Sequence, residues 1–222
     1  MDSAHQRPSN GLLITFEGGE GSGKSTQLDR LAEWLEERGH PVTTAREPGT
    51  TATGEAVRRI LLETATDDLV PEAEFALFLA ARAQLAGEVI RPALEEGRIV
   101  LIDRYGDSST AYQGYGRGLD PATIARLNRW ATRDLEPDLT VLIDVGFEEG
   151  VARRRHREPD RLERLGPAFH ERVREGYREL ARNHPGRFCV IEGERSIDEI
   201  QETIRERVRG LLSTSTRRRT AT

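Results

Sequence analysis

Five short apolar runs are spaced along the chain, and longer stretches with apolar residues at helical spacing separate them. The runs cover residues 12–16, 42–45, 99–102, 139–143 and 188–191. Short, continuously apolar runs predict buried strands, and the stretches between them predict helices. This alternation predicts an α/β fold in which a five-stranded parallel sheet is flanked by helices on both faces.

The stretch 71–96 is predicted to be helical and has an unusual apolar face. Phe75, Phe78 and Leu85 fall on one side at helical spacing, and Arg82 falls on that same side. A charged residue on an apolar helix face needs a partner, because burying an unpaired charge is costly. Arg82 is therefore a candidate functional residue.

Both ends of the chain are polar and rich in small residues. Residues 1–10 and 213–222 offer little apolar surface to bury and are predicted to be disordered tails. No internal repeat and no interior linker separates the rest, so we expect a single domain over residues 11–212.

Composition excludes several classes of protein. The net charge is −5 and charged residues make up 32% of the chain, which disfavours a nucleic-acid partner. No apolar stretch is long enough for a membrane span and no secretory signal begins the chain, so a cytoplasmic protein is expected. The lone Cys189 lies in an apolar run and is expected to be a buried, inert thiol.

A phosphate-binding loop follows the first predicted strand. The segment reads Gly18, Gly19, Glu20, Gly21, Ser22, Gly23, Lys24, Ser25, Thr26 and matches the pattern G-x-x-x-x-G-K-[ST]. In such a loop backbone N–H groups surround phosphate oxygens, the lysine reaches the β and γ oxygens, and the hydroxyl after it binds Mg²⁺. The pattern predicts a P-loop NTPase fold that binds ATP with Mg²⁺.

The lysine of this loop is the only lysine among 33 basic residues of the Lys and Arg types. A chain that uses arginine everywhere else has kept a compact, flexible cation at this position. The count also disfavours a GTPase, because the guanine-binding element N/T-K-x-D needs a second lysine.

Charged residues follow the third predicted strand as Asp103-Arg104-Tyr105. Ligands of open parallel sheets bind at the carboxyl ends of the strands. The carboxylate of Asp103 suits Mg²⁺ or its water shell, and the guanidinium of Arg104 suits a phosphate group. An ordinary surface ion pair is the alternative.

The sequence from about residue 11 to 212 resembles the thymidylate kinase family, first through the phosphate-binding loop 15–26. The resemblance implies transfer of the γ-phosphoryl group of ATP to dTMP, giving dTDP and ADP in dTTP biosynthesis. It also implies a homodimer and places Glu20 near the acceptor's sugar. Arg46, in Arg46-Glu47-Pro48-Gly49, resembles the family's arginine that approaches the acceptor phosphate.

Two further segments carry the resemblance to the acceptor site. Phe78 and Arg82 are similar to an aromatic residue that stacks on thymine and an arginine that bonds a base carbonyl; alternatively, Phe78 is core and Arg82 pairs with a glutamate. The segment 103–113 resembles the signature D-R-[YH]-x-x-S-x-x-A-Y-Q, which implies that Ser108, Ser109 and Tyr112 line the base and sugar.

An arginine-rich segment, 153–161, follows the fourth predicted strand and a short helix. A bare charge run of this kind is often a solvated face or a nucleic-acid patch. The phosphate-binding loop holds no arginine, however, so we interpret the segment as part of a mobile lid, residues 150–165, that supplies transition-state arginines. Arg153 and Arg157 are the predicted catalytic arginines beside Lys24 and Arg104; Arg155 and Arg161 stay open.

The expected reaction is a direct in-line transfer without a covalent enzyme intermediate. Two other functions stay open at this point. One is another nucleoside-monophosphate or small-metabolite P-loop kinase, and the other is an ATP-dependent switch or assembly ATPase. The five histidines are scattered, and no catalytic role is assigned to them.

Overall fold

The computed structural model describes residues 11–63, 69–153 and 158–220 of the chain. The five predicted runs form β1 (Leu12–Glu17), β2 (Val42–Arg46), β3 (Ile99–Asp103), β4 (Leu139–Asp144) and β5 (Phe188–Glu192). These strands form one parallel sheet in the order β2-β3-β1-β4-β5. Each strand begins where it was predicted and continues one residue farther, and that last residue is charged in all five. The predicted fold class is confirmed.

Helices connect the strands and cover the sheet. They are α1 (Lys24–Glu36), α2 (Ala52–Arg58), α3 (Pro71–Leu85), α4 (Arg91–Glu95), α5 (Gly106–Ser109), α6 (Pro121–Thr132), α7 (Phe147–Arg153), α8 (Pro167–Asn183) and α9 (Ile197–Thr220). The π-helical turns Arg59–Glu63, Ala86–Ile90 and Thr110–Gly116 continue α2, α3 and α5. Proline opens α3, α6 and α8, where its missing N–H leaves no helical bond unmade.

The core lies on both faces of the sheet. On one face Ile14 and Leu101 pack with α1 and α9, and on the other Leu13 and Val100 pack with the end of α3 and with α4. Successive side chains of a strand point to opposite faces, so β1 and β3 must be apolar at every position to fill both layers. This is why the strands appear in the sequence as unbroken apolar runs.

The last helix continues to Thr220 and so includes most of the segment 213–222 that the sequence analysis assigns to a tail. The buried Ile200, Ile204 and Val208 anchor α9 to the sheet. Once such a packed turn exists, each residue added to the helix forms one more hydrogen bond, so the helix can extend beyond its packed part. The domain bounds stay a prediction.

None of the helices in the described ranges has the length and apolar character that a membrane crossing needs.

Candidate active site

A cleft of about 360 Å³ opens at the carboxyl ends of β1, β2 and β3. These strands end on Glu17, Arg46 and Asp103, and strand pairing sets Asp103 beside both Phe16 and Arg46. Open parallel sheets bind ligands at this edge. The charged residues that end the strands therefore gather where a ligand is expected.

The glycine-rich loop between β1 and α1 forms one wall of the cleft. Gly18 has a φ of +140° and Gly21 a φ of +71°, which are conformations that favour glycine. Space imposes the same choice, because a Cβ on Gly18 would lie 2.3 Å from the carbonyl oxygen of Ile143 and one on Gly21 would lie 2.3 Å from that of Gly150. The loop is thus packed tightly against β4 and α7, and its residues 20–26 line the cleft.

Lys24 lies within this loop with its ammonium turned back to the backbone. Its Nζ donates to the carbonyl oxygens of Gly18, at 3.2 Å, and Gly19, at 2.8 Å, and to Oγ of Ser22, at 3.3 Å. Burial lowers the pKa of Lys24, and the positive charge of Arg104 lowers it further. An ammonium surrounded by neutral oxygens gains when phosphate oxygens replace them, so Lys24 is well placed to bind a phosphate.

Ser25 and Asp103, the two residues predicted to bind Mg²⁺, lie together at the mouth of the loop. Oγ of Ser25 donates to Oδ2 of Asp103 at 2.6 Å. Both are hard oxygen ligands, and Mg²⁺ typically takes only one or two protein ligands beside waters and substrate phosphates. No cluster of three metal-binding side chains occurs in the described parts of the chain. The pair therefore fits a Mg²⁺ that is held mainly by a nucleotide.

Arg104 connects two of the predicted motifs, the glycine-rich loop and the signature 103–113. Its Nη1 donates to the carbonyl oxygen of Gly18 at 3.0 Å, and its Nη2 forms an ion pair with Glu20 and donates to Oη of Tyr112 at 3.2 Å. Burial opposes its charge, but the Glu20 carboxylate and the neighbouring phenols outweigh that effect and raise the pKa of Arg104. The guanidinium thus stays charged at the centre of the cleft.

Tyr112 is held rigidly beside this cation. Its ring packs edge-on against Phe169 and Tyr177, with centroid distances of 6.1 and 6.4 Å, and it is 4% exposed. Burial raises the pKa of Tyr112, so that its hydroxyl remains protonated. A fixed, flat ring on the cleft wall can exclude substituents from the space in front of it.

The two predicted serines face different partners. Oγ of Ser108 donates to Oε2 of Glu17 at 2.6 Å, whereas Oγ of Ser109 accepts from Nη2 of Arg82 at 2.9 Å. Both serines line the cleft, although Ser109 is only 1% exposed. Each hydroxyl therefore connects the cleft to a buried charged group behind it.

Phe78 and Arg82 are separated by the structure. Phe78 is partly buried and lines the cleft, in keeping with a stacking surface. Arg82 is fully buried and does not reach the cleft wall; it forms a two-pronged ion pair with Glu47 and donates to Oδ1 of Asn128 at 2.5 Å. The alternative in which Arg82 pairs with a glutamate thus describes its position here, and its direct contact with a base stays a prediction.

Arg46 lies at the cleft as predicted, and a second arginine joins it. Arg46 is exposed and donates to Glu55 at 3.0 Å. Arg58, at the end of α2, also lines the cleft and donates to the carbonyl oxygen of Pro48 at 3.0 Å. Burial lowers the pKa of Arg58, and the neighbouring charge of Arg46 lowers it further. The positive charges of Arg46 and Arg58 repel each other, so an anion bound between them would be stabilised.

The predicted lid arginines have different positions. Arg153 does not line the cleft. Its Nε donates to Glu149, one helical turn earlier, at 2.9 Å, and its Nη2 donates to the carbonyl oxygen of Gly193 at 2.9 Å. Arg155 and Arg157 lie outside the described residues. The structure does not bring Arg153 to the cleft. The catalytic roles of Arg153 and Arg157 stay predictions, and Arg155 stays open.

Arg161, left open as a catalytic arginine, is a buried anchor in this structure. It is 5% exposed, with Nη2 on Oε2 of the fully buried Glu74 at 2.7 Å and Nε on the carbonyl oxygen of Leu61 at 2.9 Å. Arg117 donates to the same Glu74 oxygen at 2.8 Å. These bonds fix the second half of the predicted lid to α3.

Eight residues line the cleft that were not predicted as site residues: Glu47, Pro48, Arg58, Leu62, Gln113, Asp160, Leu162 and Glu163. For Gln113 a signal was present, since it ends the signature 103–113 and donates to Glu74 at 2.9 Å. The others come from the ends of helices and loops far apart in the chain. Glu47, Pro48 and Asp160 stand in segments that the sequence analysis singled out for their arginines. Nothing in the local sequence of Arg58, Leu62, Leu162 and Glu163 distinguishes them from surface residues.

Comparison with known proteins identifies relatives of the chain. The family model described as thymidylate kinase matches residues 16–204. A thymidylate kinase of Nitratidesulfovibrio vulgaris is 50% identical over 214 residues, which cover 93% of this chain and all of that protein. A thymidylate kinase of Oleidesulfovibrio alaskensis is 51% identical over 205 residues, which cover 89% of this chain and 97% of the relative.

A solved structure resembles the fold as well. The crystal structure of thymidylate kinase from Ehrlichia chaffeensis has a TM-score of 0.73 and 35% sequence identity, and the match covers 90% of this chain and 99% of that one. The structural similarity thus extends over most of the chain.

Proposed function

The chain belongs to the thymidylate kinase family, and from this premise we propose how its cleft performs the reaction. The activity is transfer of the γ-phosphoryl group of ATP to dTMP, which yields dTDP and ADP. One observation carries the proposal: Lys24 and Arg104 both donate to the carbonyl oxygen of Gly18, at 3.2 and 3.0 Å. A cation of the donor loop and a cation of the acceptor side therefore meet at one point.

We propose that the donor nucleotide lies along the glycine-rich loop. The N–H groups of residues 18–26 bind its phosphates, and the Lys24 ammonium exchanges its carbonyl partners for β and γ oxygens. Ser25 and Asp103 would hold a Mg²⁺ that arrives with the nucleotide, and the ion would supply positive charge to the phosphate oxygens. Positioning and charge stabilisation are the main contributions of a protein to phosphoryl transfer.

The acceptor lies on the other side of Gly18. Its thymine stacks on Phe78, its sugar lies beside Glu20 and Tyr112, and its phosphate is bound by Arg104 with Arg46 and Arg58. An oxygen of this phosphate attacks the γ-phosphorus as the bond to the ADP oxygen breaks, so no covalent enzyme intermediate and no base are needed. We include Arg58 because it shares the anion-favouring place of Arg46.

We propose that residues 150–165 act as a lid that brings arginine to the transferring group. The glycine-rich loop contains no arginine, whereas this segment contains six. Arg153 would have to exchange Glu149 and Gly193 for the phosphates. Closure over the phosphates excludes water, which strengthens the electrostatic interactions there.

A panel of nucleoside monophosphates tests this assignment. With Mg-ATP as donor and ADP release as readout, dTMP should be the best acceptor. A preference for adenylate, guanylate or cytidylate would contradict the acceptor site and leave a P-loop kinase of another specificity. Steady ADP release without any acceptor would instead favour an ATPase.

We further propose a single domain over residues 11–212, a cytoplasmic location and a homodimer, as the resemblance to the family implies. Trp130 on α6 supports the homodimer, because it is 73% exposed and large aromatic surfaces are commonly buried between protein copies. Light scattering on the purified protein measures the mass directly. A monomer at all concentrations would contradict the homodimer.

A further inference from the structure

Glu17 is a buried acidic residue to which the reaction as described gives no role. It ends β1 immediately before the glycine-rich loop, and it is fully buried. It is not among the residues that line the cleft. A carboxylate so deeply buried is costly unless hydrogen bonds satisfy it.

Three donors satisfy this carboxylate, and they come from two separate parts of the chain. The backbone N–H of Tyr105 donates to Oε1 at 2.8 Å, and the hydroxyls of Ser108 and Tyr177 donate to Oε2 at 2.6 and 2.9 Å. Tyr105 and Ser108 belong to the turn after β3, and Tyr177 lies on α8. Glu17 thus ties the acceptor-side turn and α8 to the start of the glycine-rich loop.

The same turn holds Arg104 in an unusual backbone conformation. Arg104 has a φ of +68°, a region that is unfavourable for residues other than glycine and persists only where surrounding bonds enforce it. Its own N–H donates to the carbonyl oxygen of Phe16 at 3.0 Å, and the next N–H, that of Tyr105, donates to Glu17. Two consecutive amides are therefore held by the end of β1.

The side chain of Arg104 depends on the same hydroxyls. Its Nη1 donates to Oγ of Ser108 at 3.3 Å and to Oη of Tyr177 at 3.2 Å. Because these hydroxyls direct their own protons to Glu17, they present lone pairs to the guanidinium. The carboxylate of Glu17 therefore orients the two acceptors that hold Arg104, without touching Arg104 itself.

We propose that Glu17 and Tyr177 are positioning residues for the acceptor: they hold the backbone and the guanidinium of Arg104 in the orientation that receives the acceptor phosphate. The inference rests on the proposed role of Arg104. A small shift of a phosphate-binding group costs up to about a hundredfold in rate, so the effect on the acceptor should be large. The donor loop keeps Lys24 and its glycines and should be affected much less.

The test uses Glu17→Gln and Tyr177→Phe in the full chain. Glu17→Gln replaces an acceptor oxygen by an N–H donor, and Tyr177→Phe removes one hydroxyl but keeps the ring. We expect the KM for dTMP to rise about ten- to a hundredfold in Glu17→Gln and severalfold in Tyr177→Phe, with the KM for ATP changed less than about twofold. Tyr177→Phe keeps the test decisive if Glu17→Gln does not fold.

A double-mutant cycle with Arg104→Lys separates this inference from the proposed function. Lysine keeps the charge of Arg104 but lacks the planar fork that the hydroxyls orient. In the Arg104→Lys background, Tyr177→Phe and Glu17→Gln should add less than about twofold, because the group that they position is gone. Full multiplication of the effects would overturn the inference. If Arg104→Lys alone leaves the acceptor kinetics unchanged, the proposed role of Arg104 fails instead.

Tyr115→Phe is the matched control. Tyr115 packs against Gly176 at the same contact with α8, and it is partly exposed. Its acceptor KM should stay at the parent value. An equal rise of KM in Tyr115→Phe and Tyr177→Phe would show that general loosening of this contact is responsible, and the inference would be wrong.

Discussion

The two ends of the cleft are built to hold phosphate by different means. The donor end consists of nine consecutive residues, 18–26, whose glycines and single lysine act directly from one loop. The proposed acceptor end is assembled from β2, α2, α3 and the turn after β3. There Arg104 is held by Ser108, whose hydroxyl donates to the buried Glu17, and Arg82 behind the cleft wall pairs with the buried Glu47. A backbone loop needs little support, whereas side chains with many rotamers need partners that fix them.

From this difference we expect substitutions at the donor end to abolish phosphoryl transfer with little effect on stability, and substitutions at the acceptor end to lower the free energy of unfolding as well. Lys24→Ala should lower kcat by about a thousandfold or more, because a cation on the transferring group is lost. Its melting temperature should hardly change. Lys24→Arg tests whether charge alone is sufficient. Arginine carries the same charge on a wider, planar group, so this variant should recover little activity. Substantial activity in either variant would contradict the donor site.

Arg82→Gln should have its main effect on folding. It leaves the Glu47 carboxylate buried without its partner, and breaking a buried pair in this way typically costs about 3 kcal/mol or more. Arg129→Gln is the control, because the pair with Asp134 is exposed and contributes less than about 1 kcal/mol. Urea unfolding gives both free energies. Parent-like stability with a raised acceptor KM would instead show that Arg82 contacts the base directly.

Gly150→Ala tests how closely the donor loop is packed. The added Cβ would lie 2.3 Å from the carbonyl oxygen of Glu20, so the loop or α7 must move. We expect kcat/KM for ATP to fall about ten- to a hundredfold. Gly87→Ala, where a Cβ meets no atom within 4 Å, should keep full activity. Equal activity of the two variants would show that the loop tolerates displacement.

Phe78→Ala and Phe75→Ala separate the cleft from the core on one helix. Phe78 borders the cleft and Phe75 is 5% exposed. Loss of stacking on a base costs about 1–3 kcal/mol, so the KM for dTMP should rise about tenfold or more in Phe78→Ala. Phe75→Ala should instead lose about 3–5 kcal/mol of stability and keep its acceptor KM. The reverse pattern would return Phe78 to the core.

The smallest expected effect is the pH dependence of stability that Glu17 contributes. Burial, and next the charge of Asp107, raises the pKa of Glu17 to about 7, while Ser108, Arg104 and Tyr177 oppose the shift. A carboxyl group with a raised pKa favours folding at low pH, and this contribution is lost as pH rises through about 7.

Between pH 6 and 8 the parent should therefore lose about 1 kcal/mol, or about 2–4 °C in Tm, relative to Glu17→Gln. Lys24 faces the same region in both proteins, and burial lowers its pKa in both. Thermal melts of both proteins in matched buffers measure the difference. A constant difference across this pH range would mean that Glu17 does not titrate there.

The positions of the strands and the glycine-rich loop were predictable from local sequence. Continuous apolar runs must lie between two helical layers, and a loop that binds phosphate through consecutive amides needs its glycines and its lysine at fixed spacing. Each of these two patterns lies within a short stretch of sequence, so it can be recognised without knowledge of the fold. Asp103 and Arg104 were found for a similar reason, because a charged pair directly after a buried strand has to lie at the edge of the sheet.

The partners of the buried charged residues could be identified only from the three-dimensional structure. Arg82 was recognised as a charge in need of a partner, but Glu47, 35 residues away, and Asn128, 46 residues away, were not identifiable from its helix. The same holds for Arg58 at the cleft and for Arg161 on Glu74. The free energy of a buried charge depends on all the groups within a few ångströms of it, and long-range packing alone brings those groups together.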